Sequence, residues 1–199
     1  MNEISDVRSI ERLRSSQRGV FSMEDLRTVF AEPHRAALYR RIKRLVAAGV
    51  LERFDRGIYV ASPFEPRIVS QRLAPESAVS FENVLADALI IGPKPRHRIF
   101  AIRSGRSRTV RGADWTIEYR TLDASLRFGE TVEAGIRRTV PEKALLDVLS
   151  FHLRGRRALF DIYSDVDLDR LDRERLSDFL EAYANPRFVS FAKDALRLA

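Results

Sequence analysis

Cysteine is absent from the 199 residues, which excludes disulfides, thiolate zinc sites and a thiol nucleophile. Lysine is scarce: of 35 cationic side chains only Lys43, Lys94, Lys143 and Lys193 are lysine, leaving 31 arginines. No stretch approaches the roughly 18 apolar residues of a membrane span. The first residues, MNEISDVRSIERLR, lack the apolar centre of a signal peptide. The sequence contains no GxxxxGK[ST] phosphate loop, no GxSxG elbow and no HExxH pair. None of His34, His97 and His152 has a second histidine four residues away. No catalytic residue, cofactor or metal is therefore assigned, and the chain is expected to be soluble, cytoplasmic and not an enzyme.

What is present is a 45% apolar content, ordinary for a folded protein and too high for a disordered polybasic tail. The net charge is +7, with 28 acids against the 35 cations. A basic balance favours a polyanionic partner, but the distribution says more than the total. Residues 34–56 carry Arg35, Arg40, Arg41, Lys43, Arg44, Arg53 and Arg56 against Glu52 and Asp55. Residues 94–111 carry Lys94, Arg96, Arg98, Arg103, Arg106, Arg108 and Arg111 with no acid. Residues 161–181 reverse the sign, with eight acids against Arg170, Arg173 and Arg175.

The N-terminal pattern predicts a helix over Ile4–Gln17, a break at Gly19 and a short strand at Val20–Phe21. Ser22 is expected to cap a second helix, with Asp25 in capping-box position. Glu32-Pro33 marks a turn, with proline at the next helix's first position. A third helix over 34–48 buries Leu38, Ile42, Leu45 and Val46, and Gly49 sits where a left-handed cap is expected. Its opposite side holds Ala36, Arg40, Lys43, Arg44 and Ala47. The small alanines let a backbone approach a groove floor while the cations reach outward. The β-prone runs Val50–Phe54 and Ile58–Val60, joined through Arg56-Gly57, predict a hairpin.

Helix, helix, basic helix and arginine-tipped hairpin is the winged helix-turn-helix plan, which predicts DNA binding. Arg40 and Lys43 are candidates for base edges. Arg35, Arg44, Arg53 and Arg56 are candidates for phosphates, which position without reading sequence. The arginines Arg96, Arg98, Arg103, Arg106, Arg108 and Arg111 are candidates for a second nucleic-acid surface.

Domain boundaries are expected at 1–61 for the winged domain and 62–75 for a proline-rich linker. Residues 76–199 form an α+β domain of a small sheet plus helices. There, Pro75–Ala88 is read as a helix burying Val79, Val84, Leu85 and Leu89. Ile99–Ile102 is read as a buried strand, and Trp115, Ile117 and Tyr119 as the inner face of another. Phe128 and Ile136 are placed on two further strands. Thr139 is expected to cap the next helix with Glu142 in capping-box position, and His152 to be a hydrogen-bonded core residue. Asp165, Asp167 and Asp169 alternate, but no glycine or bidentate glutamate follows at calcium-loop spacing. They are read as a helix start favoured by the dipole. Leu176, Phe179, Leu180 and Tyr183 mark a helix, and Asn185-Pro186 opens the last one.

The winged segment ending in RGIYV resembles the AbiEi family, antitoxins of type IV toxin–antitoxin systems. The blocks PESAVSFENVLADALI and GIRRTVPEKALLDVLSF are similar to its later segments, so the resemblance spans about residues 15–155. The sequence departs from the family's more usual Ser-Ala-Leu and His-Gly pattern at Phe81-Glu82-Asn83-Val84. The resemblance implies a transcriptional autorepressor whose winged domain binds inverted repeats in double-stranded DNA upstream of its operon. It implies a nucleotidyltransferase-like toxin as functional partner, counteracted without need of a stable complex. Two other readings stay open. One is an antitoxin that binds its toxin directly through the acidic 161–181 segment, and the other a nucleic-acid-processing enzyme with a winged targeting domain.

Overall fold

The computed structural model describes residues 3–198. The chain divides into two compact units. One comprises the chain up to Pro75 together with Val110–Thr116; the other comprises Glu76–Thr109 and the chain from Ile117 onward.

The first unit contains α1 (Glu3–Arg14), β1 (Val20–Ser22), α2 (Met23–Val29), α3 (Arg35–Ala47), β2 (Glu52–Asp55), β3 (Ile58–Val60) and α4 (Pro66–Leu73). The strands form an antiparallel sheet in the order β1-β3-β2, with Val20 opposite Val60 and Arg53 opposite Tyr59. Ile10, Phe21, Leu26, Phe30, Leu38, Ile42, Leu45, Leu51 and Tyr59 make one core beneath it. Ser22 and Asp25 form the expected capping box: the Asp25 N–H donates to Ser22 Oγ (3.1 Å), and the Ser22 N–H donates to Asp25 Oδ2 (2.8 Å). Helix α3 is closed off by Gly49, two residues past its last turn at φ +71°, where Gly49 N–H donates to Val46 O and Val50 N–H to Leu45 O. This is the paired-bond stop that only a residue at ease with positive φ makes cheaply. Gly19 is required for a different reason. A Cβ there would lie 2.6 Å from the carbonyl oxygens of Ala61 and Pro63.

Three local expectations change. Helix α1 stops at Arg14 rather than Gln17. Pro33 precedes the cap residue His34 instead of opening α3. The 62–75 stretch is no open linker: Pro66 starts α4, Glu65 caps it through the Arg67 N–H (3.1 Å), and Val69 and Ser70 are buried. Proline at the first helical position has its φ preset and loses no hydrogen bond, so its presence here starts a helix.

The rest of the chain forms β4 (Ala78–Val79), α5 (Glu82–Asp87), β5 (Arg98–Arg103), β6 (Arg108–Gly112), β7 (Trp115–Thr121), β8 (Glu130–Glu133), β9 (Ile136–Thr139), α6 (Pro141–Leu153), α7 (Arg173–Leu180) and α8 (Pro186–Leu196). Six strands are ordered β6-β7-β5-β4-β9-β8. The central β4 runs antiparallel to β5 and parallel to β9. The architecture is mixed α and β, as the patterning implied, but the sheet is larger than expected. Residues 78–79 are a buried strand, not part of a helix, because their backbone is paired on both sides. Leu89, expected to be buried, is exposed. Phe128 lies just before β8, and only Ile136 is on a strand. Helix α8 begins as the sequence suggests: Asn185 Oδ1 accepts from the N–H groups of Arg187 and Phe188, and Pro186 follows the cap.

Candidate nucleic-acid interface

Helix α3 separates its charges by face. Leu38, Ile42 and Leu45 are buried, and so is Arg41. Arg41 Nε donates to Asp6 Oδ2 (3.1 Å), Nη2 to Asp6 Oδ1, and Nη1 to the Phe30 carbonyl (3.1 Å). Glu32 lies 3.8 Å from Nη1, and the guanidinium stands 4.5 Å from the Phe30 ring centroid. The Asp6 bond holds the Arg41 pKa above its ordinary value, against the opposing effect of burial. One cation of the basic block is thus internal and ties α1 to α3. The buried stripe is turned toward Arg41, which leaves Val46 exposed, contrary to expectation.

Arg40, Lys43 and Arg44 are exposed on the outer side. With Ala37, Arg41 and Ala47 they line a shallow concavity of about 570 Å³. The hairpin β2–β3 turns at Arg56-Gly57, with Gly57 at φ +79°. Arg53 and Arg56 are both exposed, and Arg53 Nε donates to the Asp55 carbonyl (3.4 Å). Arg35, in the first turn of α3, donates from Nη2 to the Tyr39 hydroxyl oxygen (3.3 Å). That bond, with further pull from Arg56 and Arg53, lowers the Tyr39 pKa. All six candidate cations of this unit are therefore on its surface, and the two hairpin arginines act on the same phenol as Arg35. Tyr39 itself was missed. Its signal in the sequence is an aromatic four residues after an arginine, off the apolar stripe.

The 94–111 block is divided. Arg111 belongs to the first unit, and Arg96, Arg98, Arg103, Arg106 and Arg108 to the second. Arg98 stands over the Phe100 ring at 5.7 Å. Arg103 is half-buried and already engaged: Glu76 lies 3.6 Å away, its Nε donates to the Ser104 carbonyl (3.0 Å), and the Tyr119 ring centroid is at 5.6 Å. Arg96, Arg106, Arg108 and Arg111 are exposed.

The second unit also holds a buried polar chain that sequence reading missed. Thr139 Oγ1 donates to Ser80 Oγ (2.9 Å), and Ser80 Oγ donates to Asp147 Oδ2 (3.1 Å). Lys143 Nζ pairs with Asp147 Oδ1, lies 3.3 Å from the Tyr183 hydroxyl, and stands 4.9 Å from the Phe128 ring centroid. Burial pushes the Asp147 carboxyl up to about 6, although Lys143 and Ser80 pull it down. Burial likewise raises the Tyr183 hydroxyl. Lys143 and Asp147 have no exposed surface, so neither touches a substrate in this packing. The available signal was an i,i+4 Lys–Asp pair inside a mostly apolar helix.

Other expectations for this unit need correction. Thr139 does not cap α6: the cap residue is Val140, and Thr139 is spent on Ser80. Glu142 accepts from the Asp172 N–H (3.0 Å) and from Arg175 Nη1 (3.2 Å), so it fastens the start of α7 rather than its own helix. The ring of His152 stacks with that of Phe191 at 6.2 Å, and its Nδ1 has no hydrogen-bond partner. The 161–172 acids stabilise turns. Asp161 Oδ1 accepts from the N–H groups of Tyr163 and Ser164, which lowers its pKa; Asp167 caps a 3-10 turn, and Asp172 caps α7. Among the described residues no group of three or more His, Asp or Glu side chains is placed to hold a metal ion. No described helix is long and apolar enough to cross a membrane.

The chain is similar to a solved structure, the RV2827C protein from Mycobacterium tuberculosis. The TM-score is 0.66 at 14% identity, over 98% of this chain and 76% of that one. That likeness is one of fold. No curated protein matches the sequence. A family model described as a transcriptional regulator, AbiEi antitoxin, matches residues 8–62. This span contains α1 through β3, with Arg35, Arg40, Lys43, Arg44, Arg53 and Arg56. Over residues 8–62 the chain is thus similar to the AbiEi antitoxin family of transcriptional regulators.

Proposed function

We propose that residues 1–61 are a winged helix-turn-helix DNA-binding domain and that the chain is a DNA-binding autorepressor and antitoxin of a type IV toxin–antitoxin system. The observation that carries this reading is the two-faced α3. One face is in the core, and the other presents Arg40, Lys43 and Arg44 around the small side chains Ala37 and Ala47. A helix of that shape suits the major groove, where a backbone must come close and long cations must reach base edges or phosphates. Arg40 and Lys43 are assigned to base edges. Arg35, Arg44, Arg53 and Arg56 are assigned to phosphates. Arg44 has a structural role as well, since a cation in a helix's last turn suits its dipole.

The match over residues 8–62 supports the regulator reading. On the same footing, the operator is a set of inverted repeats upstream of the chain's own operon. The functional partner is a nucleotidyltransferase-like toxin, and the α+β domain over 76–199 carries the antitoxin activity. Arg96, Arg98, Arg106, Arg108 and Arg111 are proposed as further nucleic-acid contacts; Arg103 is the weakest member because Glu76 already neutralises it.

The test is a titration of the full chain against two labelled duplexes, one from upstream of its gene and one with the same bases shuffled. The autorepressor reading expects the upstream duplex to bind at least ~10³-fold tighter. Equal affinity for both would overturn it.

A further inference from the structure

The interface just described leaves one exposed aromatic side chain without a role. Tyr39 is 43% exposed on α3, beside the proposed groove-facing cations. Its oxygen already accepts a hydrogen bond from Arg35 Nη2 at 3.3 Å, and the guanidinium lies 5.5 Å from its ring centroid. Arg35 is not there for the helix: it occupies the first turn, where the dipole disfavours a cation, and that turn holds no acid. Arg53 stands opposite Tyr59 in the β2–β3 ladder, and Arg56 is at the hairpin turn. Both act electrostatically on the Tyr39 hydroxyl, which these three arginines hold below the usual tyrosine pKa.

The chemistry follows from the inventory of donors. A phenol whose oxygen accepts from a cation points its own proton elsewhere. Positive surroundings make that proton a stronger donor. An exposed O–H beside a guanidinium group suits a compact anion with more than one acceptor oxygen. On the face of a helix presented to DNA, that anion is a backbone phosphate.

We propose that Tyr39 and Arg35 form a clamp for one DNA phosphate at the start of α3, which sets the register in which Arg40 and Lys43 meet the bases. The clamp rests on the DNA-binding reading above. It makes Tyr39 a positioning residue and assigns no base contact to it.

The experiment titrates the full chain, Tyr39→Phe, Arg35→Gln and the double variant against the upstream and shuffled duplexes over a range of salt. Tyr39 is exposed, so Tyr39→Phe should unfold at the wild-type temperature. It should lose about tenfold in affinity on both duplexes alike, the worth of a hydrogen bond to a charged group. Its salt dependence should stay that of the wild type, because no charge is removed. Arg35→Gln should reduce the slope of log K against log salt by ~0.9. The double variant should lose less than the product of the single losses, since both groups hold the same phosphate. Tyr39→Gln, which restores a donor, should recover part of the loss. Wild-type affinity in Tyr39→Phe, or a loss confined to one base pair of the upstream duplex, would overturn the clamp alone. A wild-type chain that binds neither duplex would overturn the DNA-binding reading beneath it.

Discussion

Helices α3 and α6 are both thirteen residues long, and they use charge in opposite ways. In α3, Arg35, Arg40, Lys43 and Arg44 are exposed, and only Arg41 turns inward. In α6, Glu142, Lys143 and Asp147 are all buried, each with a partner from the same unit. Charge held out in water costs little to keep and is available to a partner. Charge taken inside must be matched on the spot, and it then specifies one arrangement of the neighbouring elements. The difference suggests where to look for function and where for architecture, and it can be broken residue by residue.

The largest effects should come from the inward charges. Lys143→Ala leaves Asp147 buried and unpaired, and should cost about 3–5 kcal/mol of stability in urea unfolding. Arg41→Ala strands Asp6 in the same way, and should cost a similar amount. A loss below about 1 kcal/mol in either variant would dissolve the contrast between the helices.

A second effect is a pH dependence. Asp147 has a folded pKa of about 6, above its unfolded value. The stability it contributes is therefore fully present below the unfolded pKa and is lost as pH rises through about 6. The wild type should lose on the order of 2 kcal/mol relative to Asp147→Asn between pH 4 and pH 7. Parallel pH profiles for the two proteins would show that Asp147 does not titrate in the folded chain.

The outward charges should do the reverse. Arg40→Ala or Lys43→Ala should leave stability within about 0.5 kcal/mol of wild type. Either should weaken DNA binding by roughly 1–3 kcal/mol if it makes a bidentate base contact. Arg40 and Arg41 are adjacent in sequence, so this pair separates binding from stability most sharply. The smallest effect is local: Ser22→Ala removes the cap of α2 and should cost about 1 kcal/mol without touching DNA affinity.

The first unit was the more legible from sequence, for a physical reason. Its capping box, its Gly49 stop and its hairpin turn are short-range devices whose partners lie within a few residues. What escaped was long-range. Arg41 looked like another surface cation because its partner, Asp6, is 35 residues away. The second unit depends on such distant pairings. Ala78–Val79 is a strand only because β5 and β9 flank it, and two residues carry no periodicity of their own. Glu142 had a sound local explanation as a capping residue, and a partner thirty positions on displaced it. The cations of the candidate interface were visible because exposure is what an apolar stripe predicts for its opposite face. Tyr39 was not, because an aromatic is ordinarily counted toward a core.

The exposed cations of α3 and of the β2–β3 hairpin are proposed to bind DNA, and the salt dependence of binding by the full chain decides whether they do. If about five of these cations neutralise phosphates, log K should fall with log salt at a slope of roughly −4 to −5, from ~−0.9 per contact. A slope near zero would contradict the claim.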